Sequence, residues 1–271
     1  TVPSKNRTKS RAFGSPAVLF YVFAILILIG TGLLCLPQAN NGTGFTPFMD
    51  AFFTSTSAIT VTGLTVQNTP TYWSGFGKIV ILLLMFIGGL GIMTTAAFLL
   101  VLIGQRVSLF QRQLVKESLG ILPTNELGGM VTLVIRIVAI AVFVQVIGSM
   151  VYFVRLLTEM DIKNAIPHAV FMAISSFNNA GFTAFSSGSS ISFYQKDVTM
   201  ITTTVILILI GAVSVWVVAD ILAFRNKVFL YSLNSKLVLS GTLILTIVGA
   251  LIFFAFEYSN PSTMSTLSVL D

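Results

Sequence analysis

The sequence carries little charge and has one cysteine and one histidine, and these shortages exclude several kinds of protein. Only 9% of its 271 residues are charged, whereas a soluble domain carries about a quarter. The single cysteine, Cys35, excludes an internal disulfide. The sequence also lacks a P-loop, a GxGxxG motif after a strand and an HExxH motif, so we expect no nucleotide site and no enzymatic metal site in it.

What the sequence does have is hydrophobic residues in long uncharged runs. Hydrophobic residues make up 55% of the chain, and the mean hydropathy is +0.94. A membrane-spanning helix needs about 20 apolar residues, and no segment shows the period-2 alternation of membrane strands. We therefore predict an all-α membrane protein. The predicted spans are 17–36, 79–103, 137–154, 199–219 and 237–256.

The distribution of basic residues predicts the orientation in the membrane. The net charge of +6 could suggest nucleic-acid partners, but most of the 15 basic residues share one side of the membrane if the N-terminus is cytoplasmic. This asymmetry is the positive-inside rule, and it explains the charge without a nucleic-acid partner. The basic residues expected inside are Lys5, Arg7, Lys9, Arg11, Arg106, Arg112, Lys116, Arg136, Arg225, Lys227 and Lys236.

The sequence contains an internal repeat. Two connections on the outer side each include a second apolar run, 45–59 and 165–177, which is too short to span the membrane and predicts a re-entrant helix. Each run has a proline near its start, Pro47 or Pro167, where the first turn of a helix tolerates it. When Gly63 is placed over Gly181, three further pairs match at the same spacing: Ala51 and Ala169, Phe53 and Phe171, and Ser57 and Ser175.

The order of span, short helix, loop and span predicts the domain organisation. We assign residues 1–103 to a first membrane-pore-membrane repeat, 104–130 to a cytoplasmic loop, 131–223 to a second repeat and 224–271 to the first helix of a third. The fifth span has no partner in this sequence. We therefore expect the third repeat to be truncated here and the rest of the pore to lie outside this chain.

The residues that follow the two short helices predict an ion pathway. Lipid cannot satisfy free backbone groups, so a loop at membrane depth must be packed in protein or line a water-filled cavity. The first loop, residues 60–64, reads TVTGL, and Gly63 permits the positive φ that turns successive carbonyls toward one axis. Rings of such carbonyls bind K⁺ in potassium channels, and the preceding helix would direct its partially negative end at the cation. The second loop, residues 178–182, reads NNAGF.

Three segments resemble the Trk/Ktr/HKT superfamily of potassium transporters, and most of all the membrane subunit of bacterial Ktr systems. They are TSTSAITVTGLTV at 54–66, ILLLMFIGGLGIMT at 81–94 and SSFNNAGF at 175–182. The resemblance implies four membrane-pore-membrane repeats in a pseudo-fourfold arrangement around one pathway. It also implies that K⁺ is bound, mainly by backbone carbonyls, at Thr60, Val61, Thr62 and Gly63 of the first loop and at Asn178, Asn179, Ala180 and Gly181 of the second.

The same resemblance implies a function and partners. It implies potassium uptake across the bacterial cytoplasmic membrane by the pore-forming subunit of a Ktr-type complex, with half of the pore in this chain. The implied partners are a second copy of the protein and a cytosolic nucleotide-binding ring of the KtrA type, which would meet the inner surface around residues 107–127. Nucleotide would bind only to that ring, K⁺ would be the transported ion, and Na⁺ is left open as a coupling ion.

Two other functions stay open at this point. The first is a sodium or mixed Na⁺/K⁺ transporter of the same superfamily, in which members with serine in place of the first loop's glycine tend toward sodium; Gly63 favours potassium. The second is a secondary transporter with broken helices, although such folds have inverted repeats and both loops here enter from the same side. An enzyme is not expected, because Ser175 would lie about 10 Å along a helix from His168, beyond hydrogen-bond reach.

Other residues have structural interpretations. Gly88, Gly89 and Gly91 predict close helix packing or a local bend, because small residues let membrane helices approach one another. Asp50 is expected in the first turn of the first short helix, where the helix dipole favours an acid. Gln145 predicts a hydrogen bond between helices, and Tyr152 predicts a position in the aromatic belt at the membrane surface.

Overall fold

The computed structural model describes residues 17–91, 130–185, 191–213, 217–218, 220–221, 231–258 and 260. Within these residues the regular structure is helical, apart from a single antiparallel bridge between Asn40 and Trp73. The predicted helical class is confirmed. The helices are α1 (Ala17–Cys35), α2 (Phe48–Ile59), α3 (Thr69–Tyr72), α4 (Gly75–Leu90), α5 (Met130–Leu156), α6 (Ile162–Phe177), α7 (Val198–Gly211) and α8 (Leu233–Glu257), with 3₁₀ turns at Pro37–Ala39 and Ile191–Tyr194.

The long helices overlap the predicted spans, but α5 begins at Met130 rather than at residue 137, and two other helices end before the predicted end of their span. The second span was expected to run on to residue 103, whereas α4 ends at Leu90 because Gly91 follows with a φ of 79°. The fourth span was expected to continue to residue 219, whereas α7 ends at Gly211. The basic N-terminal segment, the predicted cytoplasmic loop up to residue 129 and most of the predicted outer tail lie outside the described residues.

Length and hydropathy support a membrane-embedded protein. Two helices among the described residues are long and apolar enough to cross a membrane, Ile135–Leu156 within α5 and Leu233–Glu257, with mean hydropathies of 2.4 and 2.5. Three further apolar helices are shorter: Phe20–Cys35, Gly75–Leu90 and Val198–Gly211.

The helices pack in two groups of three, each with a short helix between two long ones. In the first group, α2 contacts α1 and α4 around a buried core that includes Ile81 and Met85. In the second, α6 contacts α5 and α7 around a core that includes Met172 and Met200. Contacts between α4 and α6 join the two groups. This packing brings the C-terminal ends of both short helices to the boundary between the groups.

The two prolines of the short helices occupy different positions. Pro47 directly precedes α2, and Asp50 lies in the first turn of that helix, both as expected. The prediction for Pro167 is wrong, because α6 begins at Ile162 and the proline lies inside the helix. Pro167 leaves the carbonyl of Lys163 without its helical donor, but Lys163 is exposed at the start of α6, where a lost hydrogen bond costs little.

A polar network at one end of the second group joins α5 to α7. Arg155 forms ion pairs with Glu159, at 2.7 Å, and with Asp197. Asp197 also caps α7 by accepting a hydrogen bond from the Met200 N–H at 3.0 Å. The Tyr194 hydroxyl donates to Glu159 at 3.0 Å, and burial together with this bond raises the pKa of Tyr194 to about 12. The phenol therefore keeps its proton and continues to donate at a higher pH than an ordinary tyrosine.

Candidate ion pathway

Helices α2 and α6 end in the same backbone motif. Their capping residues have almost identical dihedral angles: φ −84° and ψ 0° at Thr60, and φ −82° and ψ 2° at Asn178. After each cap, two N–H groups turn back to the last turn of the helix, which is the Schellman arrangement that satisfies free carbonyls at a helix end. The bonds run from Thr62 to Ser57 (2.9 Å) and from Val61 to Ala58 (3.3 Å), and from Ala180 to Ser175 (2.8 Å) and from Asn179 to Ser176 (3.1 Å).

Both loops then adopt left-handed backbone at matching positions. The φ angles are 55° at Val61 and 57° at Asn179, and 77° at Gly63 and 73° at Gly181. The only other positive φ among the described residues is at Gly91. Glycine and asparagine tolerate this region, but a β-branched residue such as Val61 rarely enters it. The left-handed conformation at Val61 is a local strain that the surrounding structure must hold in place.

The two loops touch at the glycines singled out from the sequence. A Cβ added at Gly63 would lie 2.4 Å from the carbonyl oxygen of Ala180 and 3.0 Å from the Cα of Gly181. A Cβ added at Gly181 would lie 3.3 Å from the Cα of Gly63. The structure therefore brings the eight predicted ion-binding residues into one cluster, in which only glycine fits at position 63.

The predicted ion-binding residues differ in their exposure. Thr60 and Thr62 are exposed in the first loop, and their Oγ1 atoms share a hydrogen bond of 2.7 Å. In the second loop Asn179 is exposed, whereas Asn178 and Ala180 are buried. The accessible face of the cluster is thus made of hydroxyls and backbone from the first loop together with Asn179 and Gly181.

The second loop is held more firmly than the first. Ser175 donates a hydrogen bond of 2.6 Å to the carbonyl of Phe182, whose side chain is buried at 1% exposure. At the matching positions of the first loop, Leu64 is 60% exposed, and the buried Ser57 hydroxyl has no hydrogen-bond partner in the described part of the chain. The bond to Phe182 also occupies the Ser175 hydroxyl, the atom that a nucleophile would need free.

Glycines let the long helices pass the ends of the short ones. A Cβ at Gly88 would lie 2.1 Å from the carbonyl oxygen of Ile59, the last residue of α2. A Cβ at Gly211 would lie 1.6 Å from the carbonyl oxygen of Phe177, the last residue of α6. The predicted close packing is confirmed for Gly88. The sequence analysis did not single out Gly211, although a glycine in the last turn of an apolar span was a usable signal.

A second pair of contacts also matches between the two groups. A Cβ at Gly30 of α1 would lie 2.4 Å from the Ser55 hydroxyl of α2 and 2.8 Å from Leu84 of α4, and a Cβ at Gly148 of α5 would lie 2.7 Å from Leu207 of α7. Gly30 and Gly148 have the same spacing in the sequence as Gly63 and Gly181. The two groups therefore use the same glycine contact between their long helices.

Tyr152 connects all three helices of the second group. Its hydroxyl shares hydrogen bonds with Thr204 at 2.7 Å and Ser176 at 3.2 Å, and the side chain is 1% exposed. The predicted position in the aromatic belt is wrong, because the residue is buried. The hydrogen bond expected of Gln145 is also not found, since its buried Nε2 has no partner among the described residues. Tyr152 and Gln145 both lie on α5, and the rotation of this helix about its axis decides which of them bridges to its neighbours. The periodicity of the sequence does not determine that rotation.

A small cavity lies beside the second loop, and most of its lining is apolar, including Met172, Phe182 and Ile208. It has a volume of about 280 Å³, and Ser176, Asn179, Gly181 and Thr204 are among the residues that line it. No group of three or more His, Cys, Asp or Glu residues in the described part of the chain could hold a metal ion. A cation at these loops would therefore be bound by carbonyl and hydroxyl oxygens, the ligands that suit an alkali cation.

Apolar helices and two loops that meet through their backbones are typical of a helical membrane protein, and the main-chain and hydroxyl oxygens of the loops form a candidate site. The chain belongs to the TrkH family of cation transport proteins, whose family model matches residues 18–270. The resemblance seen in the sequence is thereby confirmed.

Three similar curated proteins are named as potassium or potassium/sodium uptake proteins. The chain is 36% identical over 260 residues to Ktr system potassium uptake protein B of Bacillus subtilis, covering 96% of this chain and 56% of that protein. It is 36% identical over 269 residues to the protein of the same name in Vibrio alginolyticus, covering 98% and 57%. It is 37% identical over 254 residues to potassium/sodium uptake protein NtpJ of Enterococcus hirae, covering 93% and 54%. The chain thus spans just over half the length of these relatives.

Proposed function

We propose that this chain forms part of a potassium uptake pore in a bacterial cytoplasmic membrane, and that its two loops form part of the selectivity filter. The observation that carries the proposal is the contact between two loops of the same left-handed geometry at Gly63 and Gly181. Membership of a cation transport family and the names of the potassium uptake relatives support it.

The chemistry of the loops suits a dehydrated monovalent cation. The short helices α2 and α6 both end at the loops, so the partially negative ends of two helix dipoles lie beside the site. Carbonyl oxygens of residues 60–63 and 178–181 replace the water of K⁺, and the inside-negative potential draws the ion inward with about 2.3 kcal/mol per charge per 100 mV. The step needs no covalent chemistry and no bound cofactor.

The finer architecture is part of the same proposal. Residues 1–103 and 131–223 form two membrane-pore-membrane repeats with re-entrant α2 and α6, 104–130 is a cytoplasmic loop, 224–271 begins a third repeat, and the N-terminus is cytoplasmic. The paired contacts Gly30–Leu84 and Gly148–Leu207 support the repeat. The resemblance to the superfamily supports a complete pore with further loops of this kind in a pseudo-fourfold arrangement, and the chain spans just over half of each relative.

The partners are likewise proposed. Relatives named as proteins of a Ktr system support a complex of several subunits. We propose a homodimer of the pore-forming protein and a cytosolic nucleotide-binding ring of the KtrA type, with nucleotide bound on the ring alone. The ring would meet residues 107–127, which lie outside the described part of the chain.

A mixed Na⁺/K⁺ transporter is the second candidate. The relative from Enterococcus hirae is named as a potassium/sodium uptake protein, and it is as similar to this chain as the potassium uptake relatives are. The glycine at position 63, rather than serine, favours potassium as the main ion. Sodium as a coupling ion for potassium uptake stays open within the first proposal.

Growth of cells that lack their own potassium uptake tests the proposal. The complete protein should restore growth at low K⁺, and Gly63→Ser should abolish the rescue or shift uptake toward Na⁺, because the added side chain meets the Ala180 carbonyl. Gly32→Ser is the matched control, since nothing lies within 4 Å of a Cβ at Gly32. Failure of the well-expressed wild type to rescue, or equal behaviour of the two variants, would refute the proposal.

A further inference from the structure

Two adjacent glycines of α4 separate the ends of the two short helices. Gly88 faces the last carbonyl of α2, while Gly89 faces the residue that caps α6. A Cβ at Gly89 would lie 2.0 Å from Oδ1, 2.3 Å from Cγ and 2.5 Å from Cβ of Asn178. Because α4 passes this close to the capping residue of α6, there is no room for any side chain at position 89.

The side chain of Asn178 is fixed against α4. It is 7% exposed, and its Nδ2 donates a hydrogen bond of 2.9 Å to the carbonyl of Ile174. Its Oδ1 is buried without a hydrogen-bond partner among the described residues and points at the Cα of Gly89. The Gly89 α-hydrogen that takes the place of a Cβ therefore makes a weak C–H···O contact with this oxygen.

The first loop has no such contact at the matching position. Thr60 takes the place of Asn178, its Oγ1 bonds back to the Thr56 carbonyl at 2.7 Å, and the residue is exposed. The cap of the second loop is thus buried against a helix of the first group, whereas the cap of the first loop is exposed. Together with the contact between Gly63 and Gly181, the joint at Gly89 fixes where the second loop lies relative to the first.

We propose that Gly89 and Asn178 are positioning residues that set the spacing between the two loops and thereby the selectivity among alkali cations. The inference rests on the proposed function of the loops. The second loop also packs on the first group through Ala180 and Phe182, which are buried in the same core as Ile59 and Met85. Widening at Gly89 pushes Asn178 away from α4 and thereby shifts this loop relative to the first. Asn178 then acts through its side chain at the joint, in addition to any carbonyl that it presents to the ion.

Enlarging the residue at position 89 and shrinking the residue at position 178 tests this proposal in the complete protein. The variants are Gly89→Ala, Asn178→Gly and the double variant Gly89→Ala/Asn178→Gly, with Gly32→Ala as the control in open space. Asn178→Gly removes all three atoms that a Cβ at position 89 would meet. The measurements are the ratio of K⁺ to Na⁺ uptake in cells and the amount of folded protein after size-exclusion chromatography in detergent.

We expect Gly89→Ala to lower the K⁺/Na⁺ ratio about tenfold, which corresponds to about 1.4 kcal/mol. The double variant should recover most of that loss, and Gly32→Ala should match the wild type. If Gly89→Ala folds poorly, the double variant should restore both the folded yield and the ratio. A Gly89→Ala ratio equal to that of the control, or a double variant no better than Gly89→Ala, would overturn the inference. A wild type without K⁺ uptake would instead refute the proposed function.

Discussion

Gly63 and Gly181 share a backbone conformation but not an environment. Both have a positive φ, so alanine at either position carries the cost of a left-handed residue. Only at Gly63 does a Cβ meet a backbone oxygen, at 2.4 Å; the nearest atom to a Cβ at Gly181 is 3.3 Å away. The two positions, equivalent in the repeat, are therefore not equally replaceable.

Alanine substitution at each glycine measures this difference. We expect Gly63→Ala to lower the K⁺/Na⁺ uptake ratio about tenfold, the effect of about 1.4 kcal/mol, because its Cβ pushes the second loop away. Gly181→Ala should lower the ratio less, because the Cα of Gly63, 3.3 Å from the added Cβ, needs to move by only a few tenths of an ångström. Equal losses would show that the positive φ alone matters, and a larger loss for Gly181→Ala would contradict the geometry.

The residue that follows each helix cap, Val61 or Asn179, has a left-handed backbone, and substitutions at Asn179 measure how much stability this conformation costs. Asn179 has a φ of 57° and is exposed, so its side chain contributes little packing. Asn179→Val should lower the free energy of unfolding by about 1–2 kcal/mol, whereas Asn179→Gly should be nearly neutral. Thermal unfolding of the purified protein in detergent measures both. A valine variant as stable as the glycine variant would contradict the strain inferred at Val61.

The residues at the loops show how far sequence reasoning reaches. The glycines at 63 and 181 could be found, because a repeat places them at one spacing and glycine is the natural residue for a positive φ. Val61 could not be predicted as left-handed, since β-branched residues favour extended backbone. The role of Asn178 at Gly89 was equally out of reach, because it depends on which face of α4 meets α6.

At the scale of elements, the sequence predicts that the helices exist and fails on where some of them end. Apolar runs located α1 and α8 well and identified α5 without its first residues, because length and hydropathy decide whether a span forms. The early end of α4 at Leu90 depends on the conformation of one glycine, Gly91, and a glycine within an apolar run does not reveal its φ. The start of α6 at Ile162 differs from the prediction, because the sequence predicts Pro167 in the first turn and the structure places it inside the helix.

Tyr152 is the element-scale test, since its hydroxyl bridges α5, α6 and α7. Tyr152→Phe should destabilise the protein by about 0.5–1.5 kcal/mol, the usual value of one hydrogen bond, and lower the melting temperature by a few degrees. Tyr21→Phe, at an exposed position of α1, is the control and should leave the melting temperature unchanged. A Tyr152→Phe variant that melts with the wild type would show that the bridge contributes nothing.

At the scale of the whole molecule, the two groups of helices meet where a pathway is proposed. Each group places a short helix so that its C-terminal end and its loop lie at the boundary, and α4 with its paired glycines separates them. The sequence predicted the family and the two loops, and family membership is confirmed. It could not predict that the loops touch, because contact between repeats depends on helix packing across the boundary.

Ion flux into lipid vesicles tests the central claim most directly. The complete purified protein, reconstituted under an inside-negative potential, should admit K⁺ at least about tenfold faster than Na⁺, a difference of about 1.4 kcal/mol. Gly63→Ser should reduce that ratio, and Gly32→Ser should not. Equal K⁺ and Na⁺ influx through the wild type, or a ratio that Gly63→Ser leaves unchanged, would contradict the assignment of these loops as a potassium filter.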